Sequence, residues 1–120
     1  MAITPQELVA DAKSKIKELD PVEAVHSIKS GALVLDVREP AEYEAGKLVD
    51  AVNIPRGVLE FKIADHPTLA DTDATIVVYC KTGGRSALAV LSLQQLGYSN
   101  VHSIRGGIEA WSGNGHPVVK

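Results

Sequence analysis

The sequence predicts an α/β fold of three layers, in which a mostly parallel central sheet is covered by helices on both faces. Short apolar runs typical of buried strands alternate with amphipathic runs typical of helices along the chain. A length of 120 residues is enough for one hydrophobic core but not for two. The composition, 45% hydrophobic and 22% charged residues, is that of an ordinary globular protein.

The first helix has a clear start signal. Thr4 is a suitable N-cap, Pro5 fits the first helical position, and Glu7 is placed to complete a capping box. The apolar positions that follow have helical spacing and form one stripe: Leu8, Ala12, Ile16 and Leu19. We therefore expect a helix that extends to residue 19.

A second helix start follows directly. Asp20 and Glu23 repeat the capping pattern, and Gly31 is a suitable C-terminal stop. Its buried face is predicted to consist of Val22, Val25 and Ile28. Next come a buried strand at 32–37, a short helix at 39–45, a strand at 48–54 and a helix at 57–64.

The last third of the chain contains two more predicted strands. The β-branched run at 76–78 indicates a short buried strand, and a second strand is expected at 101–104. An apolar helix at 87–96 separates them, and a helical turn at 108–111 follows the second. This alternation predicts βαβ units, and hence parallel strands.

The junction between strand 76–79 and the next helix contains Cys80, the only cysteine. Gly83 and Gly84 follow it. A loop of this kind at a helix start gathers backbone N–H groups around an anion. Lys81 and Arg85 would further stabilise a thiolate there. A lone cysteine is more commonly a buried structural residue, but the glycines and cations favour a reactive thiol.

The position of Cys80 in the predicted sheet agrees with this interpretation, because ligands of parallel sheets bind beyond the carboxyl ends of the strands. Asp36 and Arg38 lie near the same edge, and we interpret them as an ion pair that shapes it rather than as catalytic groups. No metal site is expected, because the histidines lack cysteine or carboxylate partners at ligand spacing. The histidines are His26, His66, His102 and His116.

Charge and cysteine content narrow the partners and the location. A formal net charge of −3 gives no reason to expect nucleic acid or an acidic membrane. A single cysteine forms no internal disulfide, so nothing demands an oxidising compartment. The N-terminus has no signal-peptide pattern, and no apolar run reaches membrane-spanning length. We therefore expect a cytoplasmic protein with no membrane or nucleic-acid partner.

Three motifs occur in order: LDVREPAEYEAGKL at 35–48 with AVNIP at 51–55, VYCKTGGRS at 78–86, and RGGIEAW at 105–111. Together they resemble the signatures of the single-domain rhodanese (thiosulfate sulfurtransferase) family. The resemblance implies a rhodanese-like domain at 20–120, preceded by a helical extension at 1–19. Lys47 and Asp50 depart from the pattern, which usually has His and Gly there.

The resemblance also implies a chemistry. Cys80 would be the catalytic residue and would carry sulfur as a persulfide. The donor would be held by Lys81, Thr82, Gly83, Gly84, Arg85 and Ser86. The expected partners are a small sulfur donor such as thiosulfate, a thiol or cyanide acceptor, and a sulfur-relay protein in some settings. No cofactor is implied.

Two other readings stay open at this point. Cysteine-dependent phosphatases also end an anion-binding loop with arginine, but five residues separate their Cys and Arg, whereas four separate Cys80 from Arg85. Such a shorter loop makes a cradle too tight for a phosphoryl group. The chain could also be a non-catalytic sulfur carrier or regulatory module that uses the same cysteine.

Overall fold

The structure, a computed structural model, describes residues 2–120. In this range a five-stranded sheet is combined with six helices. The strands are β1 Glu18–Leu19, β2 Leu33–Asp36, β3 Val52–Asn53, β4 Ile76–Tyr79 and β5 Val101–Ile104. The helices are α1 Pro5–Ser14, α2 Pro21–Lys29, α3 Pro40–Ala45, α4 Leu59–Lys62, α5 Gly84–Gln95 and α6 Gly107–Gly113.

The sheet has the strand order β1-β5-β4-β2-β3, and every pair of neighbouring strands is parallel. The central strand β4 pairs with β2 through Val78 and Leu35, and with β5 through Val78 and Ser103. All four residues of β4 are buried, as expected for a strand covered on both faces. The predicted mostly parallel sheet is therefore confirmed.

Side chains alternate between two hydrophobic cores, one on each face of the sheet. Val78 and Val101 enter the first core, where they join residues of α5 such as Leu93. Val77 and Ile104 enter the second, where Trp111 of α6 is buried. The three-layer prediction is confirmed. None of the helices between residues 2 and 120 has the length and apolar character needed to cross a membrane.

The predicted helix starts are confirmed at both N-terminal helices. Thr4 Oγ1 accepts the Glu7 N–H at 3.0 Å, and the Glu7 carboxylate accepts the Thr4 N–H at 3.1 Å. Asp20 and Glu23 form the same reciprocal pair, at 2.8 and 3.0 Å. These capping boxes satisfy amides that have no partner inside the helix.

The predicted end of the first helix is wrong. The helix stops at Ser14, and Glu18–Leu19 forms β1 at the edge of the sheet. Leu19 is buried in the second core, and its carbonyl accepts the Arg105 N–H at 2.7 Å. Residues 18–19 form a strand because the edge of β5 that faces away from β4 offers them backbone hydrogen bonds. The helical spacing of apolar residues carries no information about this distant edge. The division of the chain at residue 20 stays a prediction.

Other element boundaries also differ from the predictions. Val22 is 55% exposed, and Ala24 takes the fully buried position of α2, flanked by the partly buried Val25 and Ile28. The strand predicted at 48–54 is reduced to β3, and the helix predicted at 57–64 is a 3-10 turn, α4 and a second 3-10 turn. α5 begins three residues before the predicted start at 87, which brings it to the cysteine loop.

A buried polar network shapes the edge of the sheet beside Cys80. Arg38 and Asp36 form the predicted ion pair, with Nη2 and Oδ2 2.8 Å apart and both side chains buried. The Tyr79 hydroxyl donates to Asp36 at 2.7 Å and accepts the Leu48 N–H at 3.2 Å. Burial, reinforced by the Asp36 charge, raises the pKa of Tyr79, so its hydroxyl keeps the proton that it donates.

The turn that leads into β3 explains one departure from the family pattern. Asp50 has φ +62°, the only positive value at a non-glycine residue between residues 2 and 120. The left-handed conformation favours glycine, and aspartate is among the few other residues that adopt it. At the other departure, Lys47, the ammonium group lies 4.5 Å from the Tyr43 ring centroid.

Candidate active site

Cys80 lies directly after β4 and is 1% exposed. Its sulfur accepts the Gly83 N–H at 3.1 Å and the Ser86 N–H at 3.4 Å. The Ser86 hydroxyl oxygen lies 3.5 Å from the same sulfur. Two backbone amides at the start of α5 therefore point at the sulfur, which is the arrangement that stabilises negative charge.

The conformation of Gly83 creates this arrangement. Gly83 is the N-cap of α5 and has φ +108°, in the left-handed region. A Cβ there would also lie 3.3 Å from the Gly106 nitrogen. The residue therefore has to be small, and it lets the chain curl tightly enough for its own amide to reach back to Cys80.

A second glycine loop, Gly106-Gly107 at the start of α6, packs against the cysteine loop. The Ile108 N–H donates to the Cys80 carbonyl at 2.9 Å, and the Glu109 N–H donates to the Lys81 carbonyl at 3.2 Å. Gly107, the residue before Ile108, packs so closely against both peptide groups that a Cβ would overlap the Lys81 carbonyl oxygen. The same Cβ would lie 2.6 Å from the Cys80 carbonyl oxygen. The start of α6 thereby fixes the orientation of both peptide groups.

The two cations predicted to attract an anion are both paired with carboxylates. Arg85 makes two hydrogen bonds to Glu42 of α3, at 2.8 and 3.0 Å. Lys81 lies 3.9 Å from Glu109, and both of these side chains are mostly exposed. The rim of the site therefore carries balanced charges rather than the net positive charge that the sequence suggested.

Glu42 was not among the predicted site residues. Its carboxylate accepts hydrogen bonds from Arg85 and also from the Glu39 N–H, at 3.0 Å, in the capping box of α3. The Arg85 hydrogen bonds are the main reason that the pKa of Glu42 falls to about 2. The glutamate belongs to the first family motif, but no local signal links it to a residue 43 positions away.

The other predicted site residues surround the sulfur at different depths. Ser86 is fully buried, whereas Thr82 is exposed on the rim. Gly84 begins α5 and faces α1, with Val9 3.7 Å from the position of a Cβ. Ser103 of β5 was also missed: its hydroxyl oxygen lies 2.8 Å from that of Ser86, and it is fully buried. The signal that could have identified Ser103 was a small polar residue in a strand that begins and ends with apolar residues.

The histidines occupy varied positions. His66 accepts the Thr68 N–H in a turn, and His116 packs against Trp111 with ring centroids 4.9 Å apart. Burial, with a smaller effect of Lys17, lowers the pKa of His102. In the part of the chain that the structure describes, no three side chains of His, Cys, Asp or Glu are grouped to hold a metal ion.

Comparison with known families gives a direct result. The model of the rhodanese-like domain matches residues 20–114. The chain belongs to this family. A sulfurtransferase from Allochromatium vinosum is 38% identical over 72% of this chain and 78% of its own. The thiosulfate sulfurtransferase GlpE of Pseudomonas entomophila is 37% identical over 82% of this chain and 86% of its own.

Solved structures extend the similarity. A rhodanese-related protein from Thermoplasma volcanium has a TM-score of 0.77 and 37% identity, and the match covers 86% of this chain and 97% of that one. A Rhodopseudomonas palustris protein of unknown function, named as a possible tyrosine phosphatase, has a TM-score of 0.90 and 33% identity. That match covers 99% of this chain and 96% of the other, so it includes α1.

Gly107→Ala should distort the cysteine loop. Its Cβ would collide with two carbonyl oxygens, and φ at this position is +63°, so we expect a loss of about 2 kcal/mol or more in the free energy of unfolding. Gly113→Ala in the same helix is the matched control, because nothing lies within 4 Å of its Cβ. Urea denaturation of both variants measures the difference, and equal stabilities would contradict the close contact.

The Glu42–Arg85 pair predicts a specific acid dependence of stability. Because the folded pKa of Glu42, about 2, lies below its ordinary value of 4.5, the stabilisation is fully present above pH 4.5 and disappears as the pH falls towards 2. Glu42→Gln keeps an oxygen for the Glu39 N–H but loses the charge. The stability difference between wild type and this variant should therefore shrink between pH 5 and pH 2.

Glu44→Gln is the control for this experiment, because it removes the same charge from an exposed position of α3. Glu44 forms no ion pair within residues 2–120, so the stability difference of Glu44→Gln from wild type should change less over this interval than that of Glu42→Gln. Denaturation curves at several pH values measure all three proteins. If the stability differences of the two variants from wild type changed equally with pH, the ion pair would make no specific contribution to stability.

Proposed function

We propose that this protein is a sulfurtransferase that carries sulfane sulfur as a persulfide on Cys80. The main support is the pair of amides, from Gly83 and Ser86, that point at the sulfur of the only cysteine. Such donors stabilise the thiolate that must attack a sulfur donor. The curated relatives named as sulfurtransferases support the same class of reaction.

In the first half-reaction the Cys80 thiolate attacks the outer sulfur of a donor such as thiosulfate. A bond forms between Sγ and this sulfur, and the sulfur–sulfur bond of thiosulfate breaks. The electron pair of the broken bond leaves with sulfite, so the enzyme keeps a persulfide with one negative charge. The amides of Gly84 and Arg85, in the first turn of α5, have no acceptor within the helix and suit the bound donor.

In the second half-reaction an acceptor removes the sulfur. Cyanide or a thiolate attacks the outer persulfide sulfur, a new bond to that sulfur forms, and the bond to Sγ breaks. The electron pair returns to Sγ and regenerates the Cys80 thiolate. Because one substrate leaves before the other reacts, the kinetics should be ping-pong. The loop residues Lys81 to Ser86 keep their proposed role as the donor-binding segment.

A phosphatase activity is the main rival, and one structural relative is named as a possible tyrosine phosphatase. Two features weigh against it here. Four residues separate Cys80 from Arg85, one fewer than in the phosphatase loop. In addition, both terminal nitrogens of Arg85 are engaged by Glu42 and do not stand free above the loop to bind a phosphoryl group. A carrier or regulatory role would use the same persulfide without rapid turnover.

Incubation with thiosulfate should increase the intact mass of the protein by one sulfur atom, and cyanide should reverse the increase. Mass spectrometry of the whole protein measures both steps. Cys80→Ser should show no increase, because it removes the only thiol. Its circular dichroism spectrum should match that of the wild type, since serine is close in size.

Two results would contradict the proposal. Sulfur loading of Cys80→Ser would exclude the persulfide on this residue. Hydrolysis of p-nitrophenyl phosphate by the wild type, without any sulfur loading, would favour the phosphatase. Loading from a protein persulfide but not from thiosulfate would leave a sulfur carrier as the function.

Arg85→Ala should weaken the use of thiosulfate more than the use of a neutral sulfur donor. The substitution removes a cation and leaves the Glu42 carboxylate without its partner at the rim. We expect kcat/KM for thiosulfate to fall about tenfold, because the unpaired Glu42 carboxylate would repel the dianionic donor. Glu42→Gln combined with Arg85→Ala should restore part of this loss. Equal losses for both donors would argue against charge recognition.

A further inference from the structure

A chain of two buried hydroxyl groups leads from strand β5 to the thiol. Ser103 Oγ lies 2.8 Å from Ser86 Oγ, and Ser86 Oγ lies 3.5 Å from Cys80 Sγ. Both serines have no exposed surface. Burial of a hydroxyl costs free energy unless a hydrogen bond compensates for it. These two groups are therefore expected to be fully paired with one another and with their neighbours.

The number of available partners determines the direction of the hydrogen bond between the serines. A hydroxyl group has one proton to donate and two lone pairs. Within residues 2–120, Ser86 Oγ is the only hydrogen-bond partner of the Ser103 hydroxyl. Ser86 has a choice of acceptors, since the Gly83 carbonyl lies at 3.2 Å and the sulfur at 3.5 Å. Full pairing requires that Ser103 donates to Ser86.

This direction leaves the Ser86 proton with two acceptors, the Gly83 carbonyl and the Cys80 sulfur. With a neutral thiol, the S–H group donates to Ser86 Oγ and the Ser86 proton goes to Gly83. With a thiolate, the Ser86 proton turns to the sulfur and forms a charge-assisted hydrogen bond, which is stronger than a neutral one. Ser103 donates to Ser86 in both states, and this donation polarises the Ser86 O–H group. It therefore strengthens the charge-assisted hydrogen bond to the thiolate more than the neutral one to Gly83.

We propose that Ser103 is a positioning residue, which acts through Ser86 to favour the thiolate of Cys80. The inference rests on the proposed function of Cys80 as the sulfur-carrying residue. The strand provides a rigid support for this role, because Ser103 pairs with Val78 of β4 and its N–H donates to the Lys17 carbonyl at 3.2 Å. The hydroxyl therefore does not move away when the charge on the sulfur changes.

Alkylation of Cys80 by iodoacetamide tests the proposal, because the thiolate reacts and no other cysteine interferes. The rate is measured against pH for wild type, Ser103→Ala, Ser86→Ala and the double variant. We expect Ser103→Ala to move the midpoint of the profile upwards by about half a pH unit, which corresponds to part of one hydrogen bond. Ser86→Ala should move it at least as far.

The double variant separates positioning from a general effect. If Ser103 acts through Ser86, its substitution should produce no further movement once Ser86 is alanine. Val101→Ala is the control for cavity formation, since Val101 is buried in β5 on the same face, two residues before Ser103. Its midpoint should equal that of the wild type. The four charged groups at the rim are unchanged in all variants: Lys81, Arg85, Glu42 and Glu109.

Three results would overturn the inference: an unchanged midpoint in Ser103→Ala, an equal movement of the midpoint with and without Ser86, or the same movement in Val101→Ala. Alkylation requires no sulfur donor. A protein that failed to accept sulfur from thiosulfate would therefore contradict the proposed function while leaving this readout intact.

Discussion

The contact between Gly107 and the peptide groups of Cys80 and Lys81 is the constraint on which the candidate site depends. Both carbonyl groups are held by amides at the start of α6. Since the two carbonyls point towards α6, the loop is left to turn its later amides towards the sulfur, as those of Gly83 and Ser86 do. The site is thus assembled from two loops that each follow a parallel strand, β4 and β5.

Charge at the rim is balanced by residues from other elements. Glu42 of α3 engages Arg85, and Glu109 of α6 lies near Lys81. In the proposed function, stabilisation of the negative charge on a bound sulfur species would therefore depend mainly on nearby amides and hydroxyls, and less on the net field of free cations. Amides held by a folded loop are already oriented before the reaction and need no rearrangement when charge develops.

Local sequence signals correctly predicted the helices and strands that are specified by neighbouring residues in the chain. Capping boxes, glycine stops and β-branched runs located the start of α1 and α2, and the strands β2, β4 and β5. The failures have non-local causes. Residues 18–19 form a strand because β5 offers them an unpaired edge, and Val22 is exposed because packing against the sheet selects Ala24 as the buried position of α2. Helical periodicity cannot predict either feature, because both depend on contacts with residues distant in sequence.

The sequence by itself determined the position of the candidate reactive group, because one cysteine, two glycines and a helix start lie within a few residues of each other. It also determined the parallel sheet and the family, since ordered motifs and alternating elements are properties of the chain. Only the tertiary structure decided which groups surround the sulfur. Glu42, Gly107 and Ser103 are distant from Cys80 in sequence, and they reach the site because neighbouring strands and helices place them there.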